Sequence, residues 1–114
     1  MAGQALESRL PRSAIGNCYY AIFYAASAVL LSQGIERSKH SGIRSAFSQY
    51  FVKKSIFPKA FGDLFETLQK ERESADYNMT YLPGEEVAEQ RFEQAQNFVQ
   101  TIRDYLKERG FLDG

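Results

Sequence analysis

The chain predicts an all-α fold, an antiparallel up-and-down bundle of about four helices, and three observations predict it. Apolar residues recur at three- and four-residue steps from Ser13 almost to the C-terminus, with no convincing period-two run that would mark a strand. Turn-forming residues (Gly34, Pro58 and the Pro83-Gly84 pair) fall between the periodic stretches, where helices stop and start. The connections so marked are short, and short connections between long helices make antiparallel neighbours. At 114 residues there is room for one domain with a single modest core.

Residues 1–12 are weakly patterned and contain Pro11, so they read as a leader or the remnant of a truncated first helix. The bundle is expected over residues 13–109, with 110–114 as a tail. The first clear helix runs from about Ser13, a reasonable N-cap, to about Gln33, with Gly34 as its stop. Ile15, Cys18, Ile22, Ala25 and Val29 form one stripe, and Tyr19, Phe23, Ala26 and Leu30 form another beside it. Two adjacent stripes describe a central helix covered on much of its circumference.

A second helix starts near Ser38 or Ser41, carries Ile43, Phe47, Tyr50 and Phe51, and ends before Ile56-Phe57-Pro58. Pro58 suits the first turn of a third helix reaching about Asp76. Asn78 to Gly84 reads as a loop. The last helix, from about Glu85, sets Ala88, Phe92, Ala95, Val99, Ile102 and Leu106 on one face. Its acidic first turn (Glu85, Glu86) and basic end (Lys107, Arg109) both complement the helix dipole.

Composition excludes several classes. The lone cysteine, Cys18, rules out an internal disulfide and a cysteine-rich zinc site, and a reducing cytoplasm is the expected location. With one histidine and one cysteine, no metal or other cofactor is expected. Glu85, Glu86, Glu89 and Glu93 fit a solvated face better than a metal site. The apolar stretch near residues 18–31 is interrupted by Tyr and Ser and lacks a signal peptide's charged start, so no membrane association is expected. The net charge is zero, but residues 1–60 hold eight Lys/Arg against two acids and residues 61–114 hold six against twelve. Basic helices packed beside acidic ones explain this. A local basic surface around Arg37, Lys39, His40 and Arg44, continued by Lys53, Lys54 and Lys59, explains it too.

One position breaks the helical pattern. Phe61, Leu64, Phe65 and Leu68 form the apolar stripe of the third helix, and the same spacing lands next on Arg72, then on Ala75 and Asp76. A guanidinium on a core-facing stripe must be paired, face a cleft or reach a partner chain. Asp76, one turn on, is the obvious partner, and Tyr77 follows it. The pair reads equally as a structural tie and as the centre of a ligand site.

Other candidates are weaker. His40 opens a helix within the basic cluster, where a general base, a phosphate contact and a capping residue are all open. Tyr20 and Tyr24 lie on a more polar stripe with Asn17 and Ser27; that stripe faces water, a partner subunit or a nucleotide base. Cys18 paired with His40 would make a nucleophile, but its place on the apolar stripe fits a packed thiol.

The run Ser13-Ala14-Ile15-Gly16-Asn17-Cys18-Tyr19-Tyr20-Ala21-Ile22-Phe23-Tyr24-Ala25-Ala26 resembles the signature helix of the HEPN-domain family (higher eukaryote and prokaryote nucleotide-binding). Lys39-His40-Ser41-Gly42-Ile43, Phe51-Val52-Lys53 and Arg72-Glu73-Ser74-Ala75-Asp76-Tyr77 follow in the order of its small stand-alone prokaryotic members, and the resemblance spans about residues 5–107. It implies an antiparallel bundle that dimerises, often a toxin–antitoxin component beside a minimal nucleotidyltransferase. Several members are metal-independent RNA endonucleases whose motif is an arginine followed a few residues on by a histidine. Arg72 matches the arginine, but five residues later stands Tyr77, and no histidine follows. Tyrosine, with an ordinary pKa near 10, is a poor base at neutral pH.

The leading expectation is therefore a HEPN-type homodimer with weak or no catalysis, binding a nucleotide, an RNA or a nucleotidyltransferase partner. Arg72 would contact phosphate, with Asp76 and Tyr77 orienting it and Asn17, Tyr20, Tyr24, Lys39 and Arg44 extending the surface. The first alternative is a metal-independent endoribonuclease toxin, with Arg72 stabilising the developing charge and His40 or Tyr77 moving protons. The second is a purely structural dimeric module.

Overall fold

A computed structural model of the chain describes residues 10–77 and 84–112, with the side chains of 10–14 and 75–77 outside that description. Four α-helices run through it: α1 (Leu10–Ser32), α2 (His40–Phe47), α3 (Lys59–Tyr77) and α4 (Glu85–Glu108). A π-helical turn, Ser48–Val52, continues α2. Among the described residues there is no strand, and the all-α bundle is the observed fold. Most of the expected loop at 78–84 lies outside the described residues, as do residues 1–9 of the expected leader and 113–114 of the tail.

α1 is the central helix, packing against α2, α3 and α4. Ile15, Cys18, Tyr19, Ile22, Ala26, Val29 and Leu30 are all buried, so both expected stripes are used. Its start differs from the expectation. Leu10, Pro11 and Arg12 are already helical, so Ser13 is a helical residue and not a cap. Ile15–Ser32, with mean hydropathy 1.3, is long and apolar enough to cross a membrane by length and composition, a test that the core helix of a bundle also passes. Here its apolar side is the centre of the bundle.

Three chain reversals share one hydrogen-bond pattern. After α1, Ile35 N–H donates to Leu30 O at 3.0 Å and Gly34 N–H to Leu31 O at 2.9 Å, with Gly34 at φ 75°. After α4, Phe111 N–H donates to Leu106 O and Gly110, at φ 82°, to Lys107 O. Both are glycine-stopped helix ends in which the left-handed residue lets the last carbonyls find donors. The third follows the π turn, where Ile56 N–H reaches Phe51 O and Ser55 N–H reaches Val52 O. There the left-handed residue is Ser55, at φ 60°, a conformation that glycine would adopt with less strain.

The second helix is expected to carry Phe51 and to end before Ile56. Its α-helical part ends at Phe47, and the ladder then widens, with Lys53 N–H donating to Ser48 O at 2.8 Å. Phe51 stays buried across the change. In α4 the buried face is Ala88, Ala95, Phe98, Ile102 and Leu106, whereas Phe92 is 52% exposed. The expected stripe through Phe92 and Val99 is thus corrected to one through Phe98. Two rows of α4 are apolar, and the ring cluster of α2 and α3 selects the row that meets it. Phe98 lies 4.7 Å from Phe61 and 5.3 Å from Phe47 between ring centroids. Ring pairs of this kind add about 0.5–1.5 kcal/mol each beyond their buried area.

Candidate functional site

α3 carries its apolar stripe, Phe61, Leu64, Phe65 and Leu68, fully into the core. Arg72, one turn beyond Leu68, is half-buried. The stripe emerges there at the edge of the bundle, against the N-terminal half of α1. Arg72 Nη2 donates to Tyr20 Oη at 2.7 Å. Its guanidinium carbon lies 5.3 Å from the centroid of the Tyr19 ring and 5.0 Å from that of Tyr20. The cation is thus held over two tyrosine faces, an arrangement worth about 0.5–1 kcal/mol per ring where water has access. The expected Arg72–Asp76 pair and the Tyr77 side chain lie outside the described residues.

Tyr19 is 1% exposed, so its hydroxyl needs a partner inside the protein. That partner is His40 Nδ1, at 3.0 Å. The imidazole also stacks on Phe23, with centroids 4.1 Å apart and planes 28° from parallel. His40 comes from the first turn of α2, so the fold brings the sole histidine and Arg72 onto the same tyrosine, from different helices. The hydrogen bond couples to the state of the ring. With Tyr19 donating, a neutral ring keeps its proton on Nε2, a donor suited to a phosphate oxygen. With Nδ1–H donating to Tyr19, a neutral ring leaves Nε2 able to accept a proton, as a general base must.

Tyr24 adjoins this cluster, stacked on Tyr20 at 6.3 Å, and is 65% exposed. Lys39 is the capping residue before His40, with extended backbone and an exposed side chain. The other expected site residues are elsewhere. Arg44 lies half-buried in a groove between α2 and α3. Asn17 is exposed and lines a different groove, between α1 and α4, with Phe92 and Arg103. The structure therefore assembles Arg72, Tyr20 and His40 through Tyr19, places Tyr24 and Lys39 alongside, and leaves Asn17 and Arg44 apart.

Sequence reasoning missed two participants. Tyr19 was assigned to the core alone, although a tyrosine at a position where phenylalanine would fill the space signals a hydroxyl with a partner. The second is Glu71, beside Arg72. It receives Arg91 Nε at 2.8 Å on one oxygen and Nη2 at 3.0 Å on the other. Both side chains are about a fifth exposed, at 19% and 18%. This two-pronged pair clamps α3 to α4 just below the Arg72 turn. Its signal was present: Arg91 stands between Ala88 and Ala95 on the apolar stripe of α4, the same break in pattern that singled out Arg72.

Cys18 is buried on α1. Burial first, and the Glu71 carboxylate second, push its thiol above the ordinary value, the opposite of what a nucleophile needs. His40 is engaged with Tyr19 and Phe23. No cluster of three or more potential metal ligands exists among the described residues.

Comparison with known proteins gives one consistent picture. The HEPN domain matches residues 1–105. A Methanocaldococcus jannaschii protein named "putative toxin" is 37% identical over 102 residues, 90% of this chain and 75% of its own length. A UPF0332 protein of Thermotoga maritima is 36% identical over 109 residues, 95% of this chain and 72% of its own. A second M. jannaschii protein bearing the toxin name is 29% identical over 101 residues, covering 89% and 69%. No solved structure matches at a significant level.

Proposed function

The chain belongs to the HEPN-domain family, and on that premise we propose that it is a toxin-type member that binds the phosphate of a nucleotide or RNA at Arg72. One observation carries the proposal: a half-buried guanidinium held at the bundle edge over Tyr19 and Tyr20, with His40 on the same tyrosine. A planar cation with its aromatic support already in place takes a phosphate oxygen at little cost in ordering. In this reading His40 Nε2–H is a second donor to the anion, and Tyr24 flanks it. The protein works as a homodimer beside a minimal nucleotidyltransferase, as one half of a toxin–antitoxin pair, with weak or no catalysis. Exposed Tyr24, Leu31 and Phe92 supply apolar surface for such contacts.

A second reading, the metal-independent endoribonuclease, is favoured by the Tyr19–His40 hydrogen bond. It brings an imidazole to the ring beneath Arg72, a proton-exchanging group that the residues after Arg72 do not supply. An RNA cleavage assay without added metal, run with a binding titration, separates the two. Arg72→Ala should abolish binding and change the melting temperature little, while wild type cleaves slowly or not at all. Robust cleavage lost in Arg72→Ala and in either His40→Ala or Tyr77→Phe would overturn the weak-catalysis reading and promote the endoribonuclease. A large melting-temperature drop in Arg72→Ala with unchanged affinity would reduce Arg72 to a structural tie.

A further inference from the structure

Of the basic run between Arg37 and Lys59, His40 belongs to the Arg72 site, and Lys39 is its neighbour in the chain. Much of the remainder converges elsewhere. A groove runs between α2 with its π turn on one side and the first half of α3 on the other. Arg44, Lys53 and the hydroxyls of Ser41 and Ser48 line the first wall; Lys59, Asp63 and Glu66 line the second. A β-carbon on Gly62 would touch Val52 at 3.5 Å, so glycine there leaves space between the walls.

The charges in this groove are not equivalent. Asp63 is faced by Lys59 at 3.8 Å and Glu66 by Lys70 at 3.0 Å, so each acid on the α3 wall has a lysine from its own helix. Arg44 and Lys53 have no carboxylate partner among the described residues. A half-buried arginine without a carboxylate, lining a groove, is complemented by an anion from outside the chain. The wall that carries both cations contains the π turn, a widening of the helical ladder often associated with functional sites.

The groove lies close to the Arg72 site in the chain and in the core. Its lining includes Ser41, the residue after His40, and Phe65, whose buried ring packs against that of Tyr19 with centroids 6.0 Å apart. We propose that this groove carries the sugar–phosphate backbone of a single-stranded polynucleotide onward from the Arg72–His40 site, with Arg44 and Lys53 each neutralising a phosphate. The proposal rests on the phosphate-binding reading of Arg72, and it selects an extended strand over a mononucleotide as the ligand. A cleft between two helices admits one flexible chain, whereas a duplex would ride on its rims.

Fluorescence anisotropy with two labelled ligands tests this: a single strand of roughly a dozen nucleotides and a dinucleotide. The proteins are wild type, Arg44→Gln/Lys53→Gln and Arg72→Ala, each checked by its thermal melt. The double variant should bind the long strand on the order of ten-fold more weakly at about 0.1 M salt, with a salt dependence shallower by about 1.4 in log–log slope. Its affinity for the dinucleotide should not change, while Arg72→Ala weakens both ligands. Equal losses on both ligands in the double variant, or no loss on the long strand, would overturn the groove. Loss confined to the double variant, with Arg72→Ala silent, would uphold the groove and overturn the reading of Arg72. Polyglutamate competing as well as an oligonucleotide of equal charge would make the occupant an acidic protein and sink the proposal.

Discussion

Two clusters of rings occupy the bundle, and they differ in one kind of atom. The first is phenylalanine: Phe47 lies within 6.0 Å, between centroids, of Phe51, Phe57, Phe65 and Phe98, and all five are buried. The second is Tyr19, Tyr20, Phe23, Tyr24 and His40 beneath Arg72, and it grades from the buried Tyr19 to the exposed Tyr24. Phenyl rings need only contact, so the first cluster is buried throughout, and it meets the second where Phe65 packs on Tyr19. Hydroxyls, imidazole and guanidinium need partners, so the second is arranged around hydrogen bonds and opens toward solvent. Stability should therefore reside in the first cluster and ligand chemistry in the second.

Phe47→Ala is the hardest blow to that division. It removes the ring at the centre of the closed cluster and should destabilise the protein by about 3–5 kcal/mol. Ligand affinity, measured where the variant is still folded, should be unchanged. A denaturant titration giving less than about 1 kcal/mol would mean that the phenylalanine cluster is not where the fold is held.

Tyr19→Phe should show the opposite profile. It keeps the ring under Arg72 and removes only the hydroxyl that holds His40 Nδ1. His40 is exposed, so water can replace the lost partner, and the stability cost should be about 1 kcal/mol or less. The imidazole loses its anchor, so affinity for a phosphate ligand should fall more than stability does. Unchanged affinity in this variant would separate His40 from the site.

How much of this was legible in the sequence follows from the same distinction. Helical periodicity reports which residues face inward, so the α3 stripe through Leu68, the two-sided α1 and the Gly34 stop could all be read directly. It failed where two rows were equally apolar: Phe92 and Phe98 both fit α4, and only the position of Phe47 and Phe61 decides between them. Arg72 was legible as a break in pattern, and Arg91 would have been by the same rule. Tyr20 and His40 were candidates beside Arg72, but the contacts that join them were not legible. Tyr20 and Arg72 are 52 residues apart, Tyr19 and His40 are 21 apart, and nothing local to either pair records that the chain will join them.

The smallest effect concerns the boundary between the two regions. Cys18 precedes Tyr19 in the chain but turns toward the α4 side of α1, where it is 4% exposed. Burial, and then Glu71, raise its thiol, so the folded state holds that proton more tightly than the unfolded chain does. The resulting stability is fully present below the unfolded thiol value of about 8.5 and is lost as pH rises through the higher folded value. Wild type should accordingly lose stability faster than Cys18→Ala over the alkaline range above about pH 8.5, and the difference between their melting curves isolates this group from tyrosines and lysines titrating nearby. Native protein should also resist alkylation at about pH 8 until it is unfolded. Rapid native-state alkylation, with parallel pH profiles for the two proteins, would mean that the α1–α4 side admits solvent at Cys18. The groove between α1 and α4 would then reach the Cys18 thiol, and the closed region would end short of α4.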